Sequence, residues 1–238
     1  MMTRLQEYFE DQIRIFNVHH SNLLVEVTEE DIHKIRTTLK RLKNFNILLD
    51  GLLFREKDFP VGFTNLFKLS GEIRDIQIQQ KILTEYNDPY QLHLSEMFEK
   101  KLEHFKIKES FQEEFRYLND KLDRIEEYHI DEQIITNVRT RIEIGLSDIR
   151  NIYQDISPSN LHEIRIRLKR IYYTLLMLDE RENIKKLDDI QETIGLWHDH
   201  DVTIERLRDF DNDLEIIDSL TKKRELFYEQ SLELLKNL

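Results

Sequence analysis

The chain has 238 residues, no cysteine, five glycines, three prolines, 34% charged residues and a formal net charge of −12. This length is enough to bury a sizeable core, while the lack of thiols excludes disulfide staples and thiolate chemistry. So few chain breakers leave little material for a turn-rich β or α/β fold, and the negative charge argues against duplex nucleic acid and anionic membranes as partners.

The elements read as eight helices, at about 3–19, 29–50, 62–86, 90–128, 131–153, 159–181, 183–209 and 213–236. The first, Met1-Met2-Thr3-Arg4-Leu5-Gln6-Glu7 onward, places charges where a signal peptide needs an apolar run, so a cytoplasmic protein is expected. No segment approaches the roughly 18 uncharged apolar residues of a membrane span. Thr28 and Asp31 have capping-box spacing ahead of the second helix. Gly51 fits the end of that helix, and Pro60, Pro89 and Pro158 fall where helices begin.

An internal repeat organises the chain. Residues 31–50 read DIHKIRTTLKRLKNFNILLD and residues 160–179 read NLHEIRIRLKRIYYTLLMLD, with eight of twenty positions identical. A second block follows each: SGEIRDIQIQQKIL at 70–83 and IGLWHDHDVTIERL at 194–207, sharing Gly71/Gly195, Asp75/Asp199 and Leu83/Leu207. Chance amphipathic similarity explains two blocks in the same order poorly. The expected architecture is therefore all-α. It has two pseudo-symmetric helical bundles from an internal duplication, with half-repeats at about 1–125 and 126–238 of one domain.

On a helical wheel, Ile35, Leu39, Leu42, Phe45 and Leu49 form a core face, and His33, Arg36, Lys40 and Lys43 cluster opposite within about 80°. Arg41 lies on the flank. The second copy repeats the pattern with Ile164, Leu168, Ile171, Leu175 and Leu178 inside. His162, Arg165 and Lys169 lie outside, Arg170 is on the flank, and Tyr172 stands where the first copy has Lys43. Ile32–Leu49 holds five Lys/Arg and Ile164–Leu178 holds four, and neither window contains an acid. Helices ordinarily intersperse acids at i±3 and i±4. Like charges held together cost free energy unless an anion offsets them, whether an acid elsewhere in the fold or an external ligand. If an approximate two-fold relates the halves, the stripes face each other in a basic groove suited to a flexible polyanion. Arg would supply forked contacts and Lys and His further donors.

These residues resemble the CHAD domain, a conserved histidine α-helical domain. The resemblance rests on the paired His-x-x-Arg-x-x-x-(Lys/Arg)-Arg helices, each followed by Gly-x-x-(Arg/His)-Asp, and covers nearly the whole chain. It implies two pseudo-symmetric helical bundles and a basic surface that binds inorganic polyphosphate, often at polyphosphate granules. Carried over by position, the ligand-binding set is His33, Arg36, Lys40, Arg41, Lys43 and Arg74, then His162, Arg165, Lys169, Arg170 and His198. Asp75 and Asp199 are expected to orient a basic residue or to cap a helix. Tyr172, and Gln77 opposite Asp201, depart from the pattern. The Glu-x-Glu-x-Lys strand of the triphosphate-tunnel enzymes fused to some members is missing, so a non-enzymatic binding module without cofactor or metal is expected.

Two other functions fit the sequence. Trp197-His198-Asp199-His200-Asp201 contains His-Asp pairs of the kind that ligate divalent metals in helical phosphohydrolases, although four consecutive residues cannot share one helical face. Alternatively, the stripes dock an acidic protein partner. His19-His20 reads as a solvent-exposed helix-end cluster, Trp197 as packing, and Lys222-Lys223-Arg224 as a surface-paired run near Asp218 and Glu225.

Overall fold

A computed structural model describes residues 2–53, 58–86, 89–105, 108–127, 131–154, 156–180, 184–210 and 213–238. Among these the chain forms nine α-helices and no strand: α1 (Met2–Leu23), α2 (Glu29–Leu53), α3 (Val61–Leu83), α4 (Pro89–His104), α5 (Gln112–Glu127), α6 (Asp131–Tyr153), α7 (Pro158–Leu178), α8 (Ile184–Phe210) and α9 (Leu214–Lys236). The helix ends expected at 128, 181 and 183 lie outside the described residues.

The single helix expected at 90–128 is two. Ser110 starts the second: its Oγ accepts from the Gln112 amide at 3.4 Å, and Ser110-Phe111-Gln112-Glu113 has the S-x-x-E spacing of a capping box. Phe111 then turns inward and is buried. Gly51 does not end α2, which continues to Leu53. The other caps form as their chemistry dictates. Thr28 Oγ1 accepts from the Asp31 amide at 3.1 Å, and Ser157 accepts from the Asn160 amide ahead of Pro158. Asp179 closes α7 in the left-handed region at φ 55°, its N–H bonding back to the Leu175 and Leu176 carbonyls.

The chain divides into two compact units. The first comprises Met1–Gln77 and Met97–Arg139, the second Ile78–Glu96 and Thr140–Leu238. In the first unit α1 packs on α2 and both pack on α5. Ile35, Leu39, Leu42, Phe45 and Leu49 of α2 are buried, and the 3.6-residue period brings them to one face. Phe16, Phe63, Phe111 and Phe115 meet edge-on and stacked at centroid distances of 5.1–5.6 Å, the offset geometries that aromatic quadrupoles favour. A polar knot lies beside this core. Lys121 bonds Asp50, the Asn46 oxygen at 2.8 Å and the Tyr117 ring face.

The histidine pair 19–20 is not a solvent-exposed cluster. His20 is buried against Phe16 and Phe111 and pairs with the Lys108 carbonyl at 2.7 Å. His19 is part-buried and pairs with Asp31 at 2.7 Å. Burial works against the Asp31 charge, but hydrogen bonds from Thr28, His19 and Asn22 overcome it and hold the carboxyl below its ordinary pKa. The network closes the α1–α2 turn.

In the second unit α8 packs between α7 and α9. Ile164, Leu168, Ile171, Leu175 and Leu178 are buried as their spacing requires. Trp197 is buried and contacts Tyr228 at a ring distance of 6.3 Å. Residues 78–96 belong to this unit: Tyr90 packs on Phe210, Tyr86 bonds Ser219 and Glu85 pairs with Lys223.

Candidate functional site, built twice

The first half-site lies where α2 meets α3. Arg36 lies between Ile35 and Leu39 on α2, and its side chain does not extend freely into solvent. It folds over α3, where Nη1 donates to the Phe67 carbonyl at 2.7 Å and the guanidinium rests on the Phe67 ring at 4.5 Å. Gly71 makes room for it, because a Cβ there would lie 2.5 Å from Nη1. Burial depresses the Arg36 pKa, Asp75 opposes this, and Arg74 adds to the depression. Arginine keeps its charge at such a site.

His33, one turn earlier, is exposed. Partial burial, then Arg74, Lys40 and Lys34, hold it below its ordinary pKa, while Glu29 pulls the other way. An open cleft of ≈ 380 Å³ is lined by Glu29, Glu30, His33 and Arg74. Arg74 Nη1 donates to Glu29 at 2.5 Å and to Gln77 at 3.5 Å. Lys40 is half-buried and Lys43 exposed on the same helix. Arg41 points elsewhere: its Nη1 reaches Gln12 of α1 at 3.5 Å.

The second half-site lies where α7 meets α8 and has the same plan. Arg165 is half-buried and set against Gly195, where a Cβ would stand 3.7 Å from Nη2. Burial again depresses its pKa, and Asp199 and Tyr173 oppose this. His162 stacks on His198 with centroids 5.2 Å apart and planes inclined by 25°. His162 is held below its ordinary pKa by burial first, then by His198, Arg165 and Lys169. His198 Nδ1 faces its neighbour Asp199 at 3.3 Å. Lys169 is half-buried and Arg170 exposed. In each half, therefore, an arginine lies over a glycine beside an aspartate, and the histidine one turn before it faces a basic residue three positions after the glycine.

The Trp197–Asp201 segment spreads around α8. His200 is buried and pairs with the Leu196 carbonyl at 2.8 Å, and Asp201 accepts from Arg224 of α9 at 3.0 Å. Among the described residues, no group of three or more His, Cys, Asp or Glu could hold a metal ion. The run on α9 is paired at the surface, Lys222 with Asp218 and Lys223 with Glu85. No helix among the described residues is long and apolar enough to cross a membrane.

The family model described as CHAD domain matches residues 7–208. The chain belongs to the CHAD domain family. No curated protein and no solved structure matches it.

Within this CHAD fold, three contributors escaped the sequence reading. Phe67 is the platform for Arg36, and its place four residues before Gly71 on the same face was the available signal. Tyr173 lies eight residues after Arg165, again on one face. Glu29 is the third: a first-turn glutamate has an ordinary helix-dipole explanation and gives no hint of its reach to α3. Arg167, one of the four cations of the second acid-free window, is neutralised by Glu163 at 2.7 Å and by Asp148 of α6 at 2.6 Å.

Proposed function

We propose that this CHAD protein binds inorganic polyphosphate without catalysis, through the two half-sites, in the cytoplasm and at polyphosphate granules. The observation that carries the proposal is the repeated geometry. Two arginines are desolvated against a glycine and supported by an aspartate, each with a histidine and exposed or half-exposed lysines or arginines on the same helix. Forked arginines and neighbouring lysines on one helix are suited to charge-assisted contacts with successive phosphates of a chain. Polyphosphate is flexible and densely charged, so it can follow local basic patches on a chain whose net charge of −12 repels long rigid polyanions.

Asp75 and Asp199 favour the charged form of Arg36 and Arg165 and act as positioning groups. The test is binding of polyphosphate of defined length in parallel with duplex DNA of equal charge and with an acidic peptide. Tight, salt-sensitive binding of polyphosphate above both competitors supports the proposal. Hydrolysis dependent on added divalent metal and lost in Asp199→Ala would replace it with a phosphohydrolase. Preference for the peptide would replace it with a protein scaffold.

A further inference from the structure

The two half-sites share a plan but differ at one corner. In the first, Arg74 is already occupied: its Nη1 bonds Glu29, which lies 45 residues away in sequence and one helix away in space. Glu29 lines the same cleft as His33 and Arg74 and opposes the cations that depress the His33 imidazole. At the matching places in the second copy stand Pro158 and Ser159 instead of Glu29 and Glu30, and the residue equivalent to Arg74 is His198, stacked on His162. Ordinary helix-dipole logic accounts for acids in the first turn of α2, and Asp31 is consumed by the cap. It does not account for a glutamate reaching across to the basic residue of the Gly-x-x-Arg-Asp segment.

We propose that Glu29 is an internal anion that occupies the first half-site and must be displaced by the incoming ligand. This inference rests on the polyphosphate reading. The carboxylate holds Arg74 where a phosphate oxygen would take it. The partners are unequal: the Arg74 side chain is 19% exposed and the Glu29 side chain 59% exposed. Arg74 is thus the fixed member and Glu29 the one free to swing into water. The first half-site is accordingly the weaker of the two for short phosphates. It fills when a ligand brings enough charge to outcompete one carboxylate, which makes Glu29 a selectivity element against phosphate and pyrophosphate.

The experiment is calorimetric titration with sodium tripolyphosphate at low salt in a Lys169→Gln/Arg170→Gln background, which weakens the second stripe. Glu29→Gln is compared with Glu10→Gln, which removes the same charge from the exposed face of α1. A partly exposed ion pair of this kind predicts that Glu29→Gln binds about two- to five-fold more tightly than Glu10→Gln. Equal affinities for the two variants would overturn the inference and leave the polyphosphate reading intact. So would weaker binding by Glu29→Gln that appears only with magnesium, because Glu29 would then be contacting a metal-bridged ligand. Failure of every variant and of the wild-type protein to bind any polyphosphate would remove both.

Discussion

Arg36 and Gly71 fit together so closely that a methyl group on residue 71 would meet the guanidinium at 2.5 Å. The corresponding contact of Arg165 and Gly195 is looser, at 3.7 Å. The same substitution in the two halves therefore has different outcomes. Gly71→Ala pushes Arg36 off the Phe67 carbonyl and ring. Losing a charged hydrogen bond costs about 1.5–3 kcal/mol, and the better helix propensity of alanine returns about 1 kcal/mol. A lowered melting temperature and about tenfold weaker polyphosphate binding are expected. Gly195→Ala makes an ordinary van der Waals contact and gains up to about 1 kcal/mol from helix propensity with affinity unchanged. Thermal melts and titrations of both variants check this, and identical behaviour would contradict the packing described.

Acid should act on the protein and on its complex with opposite sign. His33, His162 and His200 are all held below their ordinary pKa, burial being the first cause in each. A base whose folded pKa is depressed stabilises the fold above its unfolded pKa of about 6.5. That contribution disappears as pH falls from there through the depressed values. Bound phosphate favours the imidazolium forms of His33 and His162, so affinity rises over the same range. Melts of the free protein between pH 8 and 5 should show falling stability while titrations show tightening binding. His33→Gln/His162→Gln, which removes both imidazoles, should flatten the binding profile. Affinity independent of pH would remove the histidines from the site.

The knot of Lys121, Asp50 and Asn46 is structural and separable from binding. Lys121 is 6% and Asp50 1% exposed, so removing one charge strands the other. Lys121→Met is expected to cost about 3–5 kcal/mol, whereas Lys121→Met with Asp50→Leu recovers most of that loss. Chemical denaturation measures both, and polyphosphate affinity of whatever remains folded should be unchanged.

Much of this fold is legible in the sequence because helical periodicity and capping chemistry are local. The core faces of α2 and α7, the Thr28–Asp31 cap and the proline-marked starts at Pro60, Pro89 and Pro158 all follow from it. The division into α4 and α5 is not signalled by any glycine or proline in the sequence between His104 and Gln112. Its only marker was the modest capping signal at Ser110. His20 was misplaced because its partners, Phe111 and the Lys108 carbonyl, come from a distant segment. For the candidate site, the wheel places the basic residues on a non-core face and leaves open whether an acid elsewhere in the fold or an external ligand meets them. Whether an arginine there is free depends on the neighbouring helix, and Gly71 and Gly195 supply the room that draws Arg36 and Arg165 inward. Asp148 of α6, which quenches Arg167, and Glu29, which meets Arg74, were invisible for the same reason: a wheel holds one helix.

The burial of Arg36 and Arg165 also determines how the binding proposal is best tested, since reversing either charge would damage packing. Lys43 and Arg170 are exposed and Lys40 and Lys169 half-buried, so Lys40→Gln/Lys43→Gln/Lys169→Gln/Arg170→Gln removes stripe charge with little loss of core. The decisive measurement is polyphosphate binding by the wild-type protein and this variant at low and at physiological salt. Wild-type binding should weaken steeply with salt, and the variant should keep its helicity but show much lower affinity and a shallower salt dependence. Equal binding by the two proteins, or none by the wild type at low salt, would contradict the binding proposal.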